Sequence, residues 1–364
     1  MTITHAPATR AAEVSAALPI EAPEHERVLI TRGPRSGLTI VVAVHSTRLG
    51  QALGGARLWR YGHWTDALAD ALRLSQAMTL KNAAAGLARG GGKSVIAIPA
   101  GVTLDEARTR DAMLDLGDAV ESLGGAYMTA EDVGTSAELM AVVHERTEHV
   151  CGLPPEQGGV GEPADATAAG VHASILATLG HVFGSSEATG RHFVIAGLGQ
   201  VGGRLARSLA ASGARLTVTD VAESKRALAD ELGAAWVDPA DAHLVDADVF
   251  VPCGLGGVLT PSVVRELRVR AVVGAANNQL ASRDVADMLK GRGIVWAPDF
   301  LANAGGVIYL DVASAPGADQ AALDARIAGI GDTVASVLRS ADASGSTTLE
   351  AAEQLARTRL DAAR

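Results

Sequence analysis

Apolar positions along this chain follow two periods that alternate from one end to the other. Residues 27–30 and 38–45 read as strands, separated by the turn Gly33-Pro34-Arg35-Ser36-Gly37, as in a hairpin. From Thr65 the spacing Ala67, Leu68, Ala71, Leu72, Leu74, Ala77 and Met78 gives one face of an amphipathic helix that delivers Lys81 at its end. A strand follows at 95–98, then a helix over 104–123 with Met113, Leu116 and Val120 on one face, closed by Gly124-Gly125. A short strand is expected at 126–130. Residues 151–165, with Pro154-Pro155, Gly158-Gly159 and Gly161, break the periodicity and read as an interdomain linker.

The second half repeats strand and helix more regularly. A helix is expected over 167–179, and strands at 192–196, 215–219, 235–237, 249–252, 271–274 and 294–297. Two helices, 321–340 and 348–363, close the pattern around Ala343-Ser344-Gly345-Ser346. Such alternation predicts an α/β protein whose C-terminal domain is a Rossmann-type, doubly wound parallel sheet. At 364 residues, two domains are the natural division. We place a flexible arm at 1–25, an N-terminal α/β domain at 26–165, and the Rossmann-type domain at 166–344.

Composition narrows the partners. Aromatic residues make up 3% of the chain, so the cores must be built from Val, Leu, Ile and Ala. The net charge of −10 argues against nucleic acid or an anionic membrane as the main partner. Cys151 and Cys253 lie far apart with no metal-ligand spacing, so neither a disulfide framework nor a metal centre is expected, which fits a reducing cytoplasm. Residues 1–25 lack the continuous apolar segment of a signal peptide, and no apolar run reads as long enough to span a bilayer.

The candidate chemistry begins at 78–94, where Lys81 and Lys93 stand twelve residues apart with Gly90-Gly91-Gly92 before the second. A lysine confined near another cation loses affinity for its proton, which moves it toward acid–base work. The alternative is a glycine turn with a solvated lysine. Gly92-Lys93-Ser94 resembles the end of a phosphate-binding P-loop, but Leu87 occupies the place of the required glycine, and the helix and strand come in the wrong order. Asp132, in Glu131-Asp132-Val133-Gly134-Thr135 at the end of the 126–130 strand, is a candidate proton carrier; alternatively Asp132 or Thr135 caps the next helix.

Gly197-Leu198-Gly199-Gln200-Val201-Gly202 sits between strand and helix, and Asp220 ends the next strand. The glycines Gly197, Gly199 and Gly202, with Gln200 and Val201 opening the helix, form a dinucleotide-binding fingerprint in full context. Asp220 would bind ribose hydroxyls and repel a 2′-phosphate, favouring NAD over NADP, with Lys225 and Arg226 nearby as the opposing signal. Asn277 and Asn303 follow later strands and either orient a ligand or cap a turn.

Together the motifs Leu53-Gly54-Gly55-Ala56-Arg57, 78–93, 131–135, 197–202, 274–279, Pro298-Asp299 and Asn303-Ala304-Gly305-Gly306 resemble the Glu/Leu/Phe/Val dehydrogenases, in the leucine, valine and phenylalanine branch. The resemblance implies NAD-dependent, reversible oxidative deamination of an L-amino acid to a 2-oxo acid and ammonia, with an aliphatic substrate favoured. It implies that Lys81 binds the α-carboxylate with help from Asn303. Lys93 would be the catalytic lysine, and Asp132 would exchange protons with the amine. Thr167 and Asn277 would place the nicotinamide, and Gly54 and Met78 would line the substrate pocket. A cytoplasmic homo-oligomer is implied, with the C-terminal helix at about 345–364 returning to the first domain.

The roles fit the chemistry. Hydride loss from Cα gives an iminium, water adds, and ammonia leaves, so the site needs a fixed cation, an acid–base group and a proton carrier. Departures fall at Leu80, Ala88-Arg89, 162–165, Ala169 and 307–320, which leaves the side-chain preference open. An aromatic or non-proteinogenic amino acid, or an imine, is the rival substrate. A non-catalytic dinucleotide-binding regulator is the rival class.

Overall fold

The computed structural model describes residues 24–313, 317 and 319–363; most of the arm expected at 1–25 lies outside them. The chain divides into two compact units, one comprising residues through Thr79 with Arg89–Gln157, the other Leu80–Ala88 with Gly158–Arg364.

In the first unit, the helix and strand periods give β1 (Arg27–Arg32), β2 (Thr39–Ser46), β3 (Ala52–Tyr61), α1 (Trp64–Ala84), β4 (Gly90–Pro99), α2 (Glu106–Glu121), β5 (Tyr127–Glu131) and α3 (Ala137–His144). The last turn of α1 counts with the second unit. Among the described residues the sheet has the order β1-β2-β4-β3-β5. β2 pairs antiparallel with β1 and β4, whereas β3 runs parallel to β4 and β5. Alternation along β2 and β4 feeds two cores. Ile40, Val42, Val44 and Ile96 meet Met113, Leu116 and Val120 of α2, while Val41, Ala43 and Val95 meet Ala67, Ala71 and Leu72 of α1. Asp105 caps α2 by accepting from the Arg108 amide, which satisfies a donor the helix leaves unpaired.

β4 starts five residues before the expected strand, and this corrects the turn reading of the triple glycine. A Cβ on Gly90 would stand 1.9 Å from the Ser46 carbonyl oxygen, one on Gly91 2.1 Å from the Thr79 nitrogen, and one on Gly92 2.4 Å from the Tyr127 ring. Here the glycines permit close packing on both faces of a strand. Gly91 in particular is where α1 rests directly on β4.

The second unit contains α4 (Ala164–Phe183), β6 (His192–Ala196), α5 (Gln200–Ala211), β7 (Arg215–Thr219), α6 (Arg226–Leu232), β8 (Ala235–Trp236) and β9 (Val249–Pro252). It continues through α7 (Pro261–Glu266), β10 (Ala271–Val272), α8 (Val285–Gly291), β11 (Val295–Trp296), α9 (Asp299–Ala302), α10 (Gly305–Ala313), α11 (Gln320–Ser344) and α12 (Thr348–Ala362). Its sheet is parallel, in the order β11-β10-β9-β6-β7-β8, so the winding reverses between β6 and β9. Ligands of open α/β sheets bind beyond the strand ends at such a reversal.

Two expectations shift. α12, expected to return to the first domain, clusters with the second unit, which also takes in residues 80–88. α4 is by length and composition apolar enough to cross a membrane, where the sequence reading found no such run. It serves packing: Val171, Ile175 and Leu179 are buried, and a Cβ on Gly170 would lie 2.7 Å from the Ile330 side chain of α11.

Candidate active site

Lys93 projects from β4 and Asp132 from the turn after β5. Their Nζ and Oδ2 atoms stand 2.9 Å apart. Lys93 is 4% exposed. Burial pushes its ammonium below the usual lysine value, more than the neighbouring Asp132 carboxylate restores. Burial alone would raise Asp132, but Lys93 and Arg57 hold its carboxyl below the usual range. The pair therefore combines a persistent carboxylate with a lysine disposed to give up its proton.

Asp132 does not cap the next helix. Ser136 does, accepting from the Leu139 amide. Thr135 instead fixes the turn: its Oγ1 accepts from the Asp132 amide at 2.8 Å and donates to the Ala56 carbonyl at 2.9 Å. Gly54 and Gly55 of β3 make room. A Cβ on Gly54 would come within 1.8 Å of the Gly92 carbonyl oxygen and 3.4 Å of Met78 Cγ, so Gly54 and Met78 are neighbours. A Cβ on Gly55 would stand 3.3 Å from Lys93 Nζ and 2.7 Å from Asp132 Cβ.

Sequence reasoning gave Arg57 no role. Its Nε donates to Asp132 Oδ2 at 2.9 Å, and its Nη1 donates to Asp70 Oδ2 at 2.9 Å. The Tyr61 hydroxyl donates to the same Asp70 oxygen at 2.7 Å. The available signal was the two-residue period of a strand, which places Gly55 and Arg57 on one face of β3.

In the second unit, Lys81 Nζ donates to Asn303 Oδ1 at 2.7 Å. Asn303 Nδ2 donates to Asn277 Oδ1 at 2.8 Å and to the Ala275 carbonyl at 3.1 Å. Neither asparagine is therefore a simple turn residue; they link into one polar chain with Lys81. Thr167 lies beside the Gly305-Gly306 step, where a Cβ on Gly306 would be 2.6 Å from Thr167 Oγ1. Asp299 is a further buried group without an assigned role. Its oxygens accept from the Gln279 amide at 2.8 Å and the Phe300 amide at 2.7 Å, and burial raises its pKa despite those bonds and nearby Lys81. Trp296 Nε1 donates to Gln279 Oε1 at 2.9 Å, which locks the same segment. At the end of α1, Arg359 of α12 donates to the Ala83 carbonyl at 3.1 Å and to that of Ala84. A cation there adds to the Gly86 amide already bonded to Ala83, gives the Ala84 carbonyl a donor, and complements the helix dipole.

The glycine fingerprint divides its labour as a dinucleotide requires. Gly197, at φ +107°, makes the tight turn after β6 in the left-handed region. Gly199 is the N-cap of α5, and a Cβ there would meet nothing within 4 Å, leaving an open approach to the helix N-terminus. Gly202 is a packing glycine, since its Cβ would stand 1.9 Å from the Gly197 carbonyl oxygen. Gln200 and Val201 form the exposed and half-buried first turn of α5. Asp220 Oδ2 accepts from the Leu198 amide at 2.7 Å, and its Oδ1 accepts from the Ala222 amide at 2.8 Å, so the carboxylate ties the end of β7 to the glycine loop. These residues fit a nicotinamide dinucleotide.

A doubly wound sheet with this cradle, in a chain that also carries a buried lysine–aspartate pair, defines a dinucleotide-dependent oxidoreductase. Comparison with known proteins narrows the class. The family description "Glu/Leu/Phe/Val dehydrogenase, dimerisation domain" matches residues 25–149, and "Glutamate/Leucine/Phenylalanine/Valine dehydrogenase" matches residues 217–364. Leucine dehydrogenase of Geobacillus stearothermophilus is 42% identical over 290 residues, covering 79% of this chain and 78% of that protein. Valine dehydrogenase of Streptomyces albus is 39% identical over 344 residues, covering 93% of each. The crystal structure of L-tryptophan dehydrogenase from Nostoc punctiforme matches with a TM-score of 0.80 at 33% identity, over 93% of this chain and 96% of that one. The chain belongs to the Glu/Leu/Phe/Val dehydrogenase family. It is an amino-acid dehydrogenase, an oxidoreductase of the CH–NH2 group that works by oxidative deamination with a nicotinamide dinucleotide.

Proposed function

We propose that this enzyme uses NAD to deaminate a small aliphatic L-amino acid, releasing the 2-oxo acid and ammonia. The observation that carries the residue assignment is the 2.9 Å contact between buried Lys93 and Asp132. The bound dinucleotide supplies the hydride acceptor. Lys81, steadied by Asn303 and Asn277, fixes the substrate carboxylate. Lys93 in its neutral form takes a proton from the attacking water, releases it to solvent, and then takes the hydroxyl proton as the carbinolamine collapses. Asp132 accepts a proton from the substrate ammonium and later gives one to the departing nitrogen. Thr167 and Asn277 place the nicotinamide half, Gly54 and Met78 bound the side-chain pocket, and Gly197, Gly199, Gln200, Val201 and Gly202 receive the pyrophosphate. The reading requires Lys81 and Lys93 to act on the same substrate molecule.

NAD is favoured over NADP because Asp220 is a carboxylate where a 2′-phosphate would stand. The nearby cation Arg226 is engaged by Glu223 at 2.9 Å and lies over the Trp236 ring. A homo-oligomer is favoured because the first half matches a dimerisation domain and its edge strand β1 exposes Ile30. The two free cysteines favour a cytoplasmic setting.

NADH formation at alkaline pH across a panel of L-amino acids, with NADP in parallel, tests the proposal. Turnover of leucine, valine or isoleucine with NAD is expected. A preference for aromatic substrates would overturn the aliphatic assignment, equal rates with NADP the cofactor assignment, and silence across the panel the whole reading. Light scattering tests the oligomer, which a monomer at micromolar concentration would exclude.

A further inference from the structure

We propose that Arg57 is the positioning residue of the Lys93–Asp132 pair, a fixed cation that lets Lys93 release its proton without stranding the Asp132 carboxylate. The inference rests on the roles given above for Lys93 and Asp132. One carboxylate oxygen, Asp132 Oδ2, receives both Lys93 Nζ and Arg57 Nε, each at 2.9 Å. With Lys93 as its only cation, the half-buried carboxylate would hold that proton in place, because losing it would leave a buried charge unpaired. Arg57 removes this obstacle. A guanidinium stays protonated over any working pH, so Asp132 keeps a partner whether Lys93 is charged or neutral.

The guanidinium is itself held. Asp70 of α1 accepts from Arg57 Nη1 at 2.9 Å, from the Tyr61 hydroxyl at 2.7 Å and from Arg73 at 2.8 Å. The groups around the pair thus come from every neighbouring element: Arg57 and Tyr61 from β3, Asp70 and Arg73 from α1, Lys93 from β4, and Tyr127 from β5, whose hydroxyl donates to the Gly54 carbonyl at 2.7 Å. Arg57 and Asp70 have opposite charges, so they act on the pair with opposite sign. The Arg57 charge favours loss of a proton from Lys93, and the Asp70 charge opposes it.

The test is the pH profile of kcat/KM for the preferred amino acid. Its ascending limb reports the pair as a unit. In Arg57→Gln the limb should move to higher pH by about 1 unit or more, the effect of removing a charge at this distance. Arg57→Lys keeps the charge and should recover most of that displacement. Asp70→Asn should move the limb the other way, to lower pH. A purely structural role would lower kcat/KM in all three variants at every pH without opposed displacements. Limbs that stay put, or that move in one direction for both Arg57→Gln and Asp70→Asn, overturn the proposal. If Arg57→Gln does not fold, judged by circular dichroism and NAD affinity, Asp70→Asn decides it by moving the limb to lower pH while Arg57→Lys leaves it near the wild-type position; an unmoved or raised limb in Asp70→Asn overturns the proposal. A wild type that turns over no amino acid removes the underlying reading, whereas an active wild type with unmoved limbs removes Arg57 alone.

Discussion

Asp132 and Asp299 are both largely buried carboxyls, one in each compact unit, and they are pushed in opposite directions. At Asp132 two cations in direct contact outweigh desolvation, and the carboxyl stays below the usual range. At Asp299 the contacts are backbone amides, desolvation wins, and the carboxyl rises. Dipoles of the chain can seat a buried carboxylate, but full charges decide which protonation state it holds. The first unit thus holds a carboxylate against two cations, whereas Asp299 ties together the segment that carries Asn277 and Asn303.

The largest effect should come from removing the charge that sets Asp132 apart. Lys93→Ala should lower turnover by about 10³-fold, within the range for an acid–base group, with NAD binding, followed by fluorescence titration, nearly intact. Near-normal turnover would remove Lys93 from the chemistry. Next, Asp132→Asn should cost roughly 10²-fold in kcat, while Asp299→Asn should cost less than a tenth of that loss; equal losses would erase the distinction between the two sites. Lys81→Ala should act on binding, raising the substrate KM by roughly 10- to 100-fold, as expected for a lost charge-assisted hydrogen bond. An unchanged KM would end its carboxylate role.

A smaller signature lies in stability against pH. The folded-state value of Asp132 is lowered, so its contribution is present above the ordinary carboxylate value and is lost as pH falls through the folded value. That of Asp299 is raised, so stability declines as pH rises from the ordinary value through the folded one. Melting temperatures across acidic pH should therefore show Asp132→Asn flattening the acid-side loss and Asp299→Asn flattening the decline above it. Slopes of the same sign would break the comparison. The smallest change expected is Thr135→Val, which frees the Asp132 turn and should reduce kcat several-fold, about 1 kcal/mol, the worth of one hydrogen bond; steady-state kinetics would register it.

Much of this was legible in the chain. The alternation of periods located the Rossmann-type half, because parallel strands there are short, apolar and closed by glycine or polar loops. The dinucleotide cradle was readable because its three glycines meet three separate steric demands in fixed order. The triple glycine was not, since local sequence cannot tell a glycine that turns from one that admits a helix, as Gly91 admits Thr79. Arg57 and Asp299 stood within quoted motifs but received no role, for a related reason. Their roles depend on partners 75 and 20 positions away, and only folding supplies those pairings.

One further consequence concerns the order in which the protein is made. The carbonyls of Ala83 and Ala84, just past Lys81, are capped by Arg359. A ribosome must synthesise more than three-quarters of the chain after incorporating the lysine before that cap exists. The helix end that carries Lys81 is thus among the last parts completed, and a nascent chain stalled short of residue 359 would carry Lys81 on an unfinished helix end.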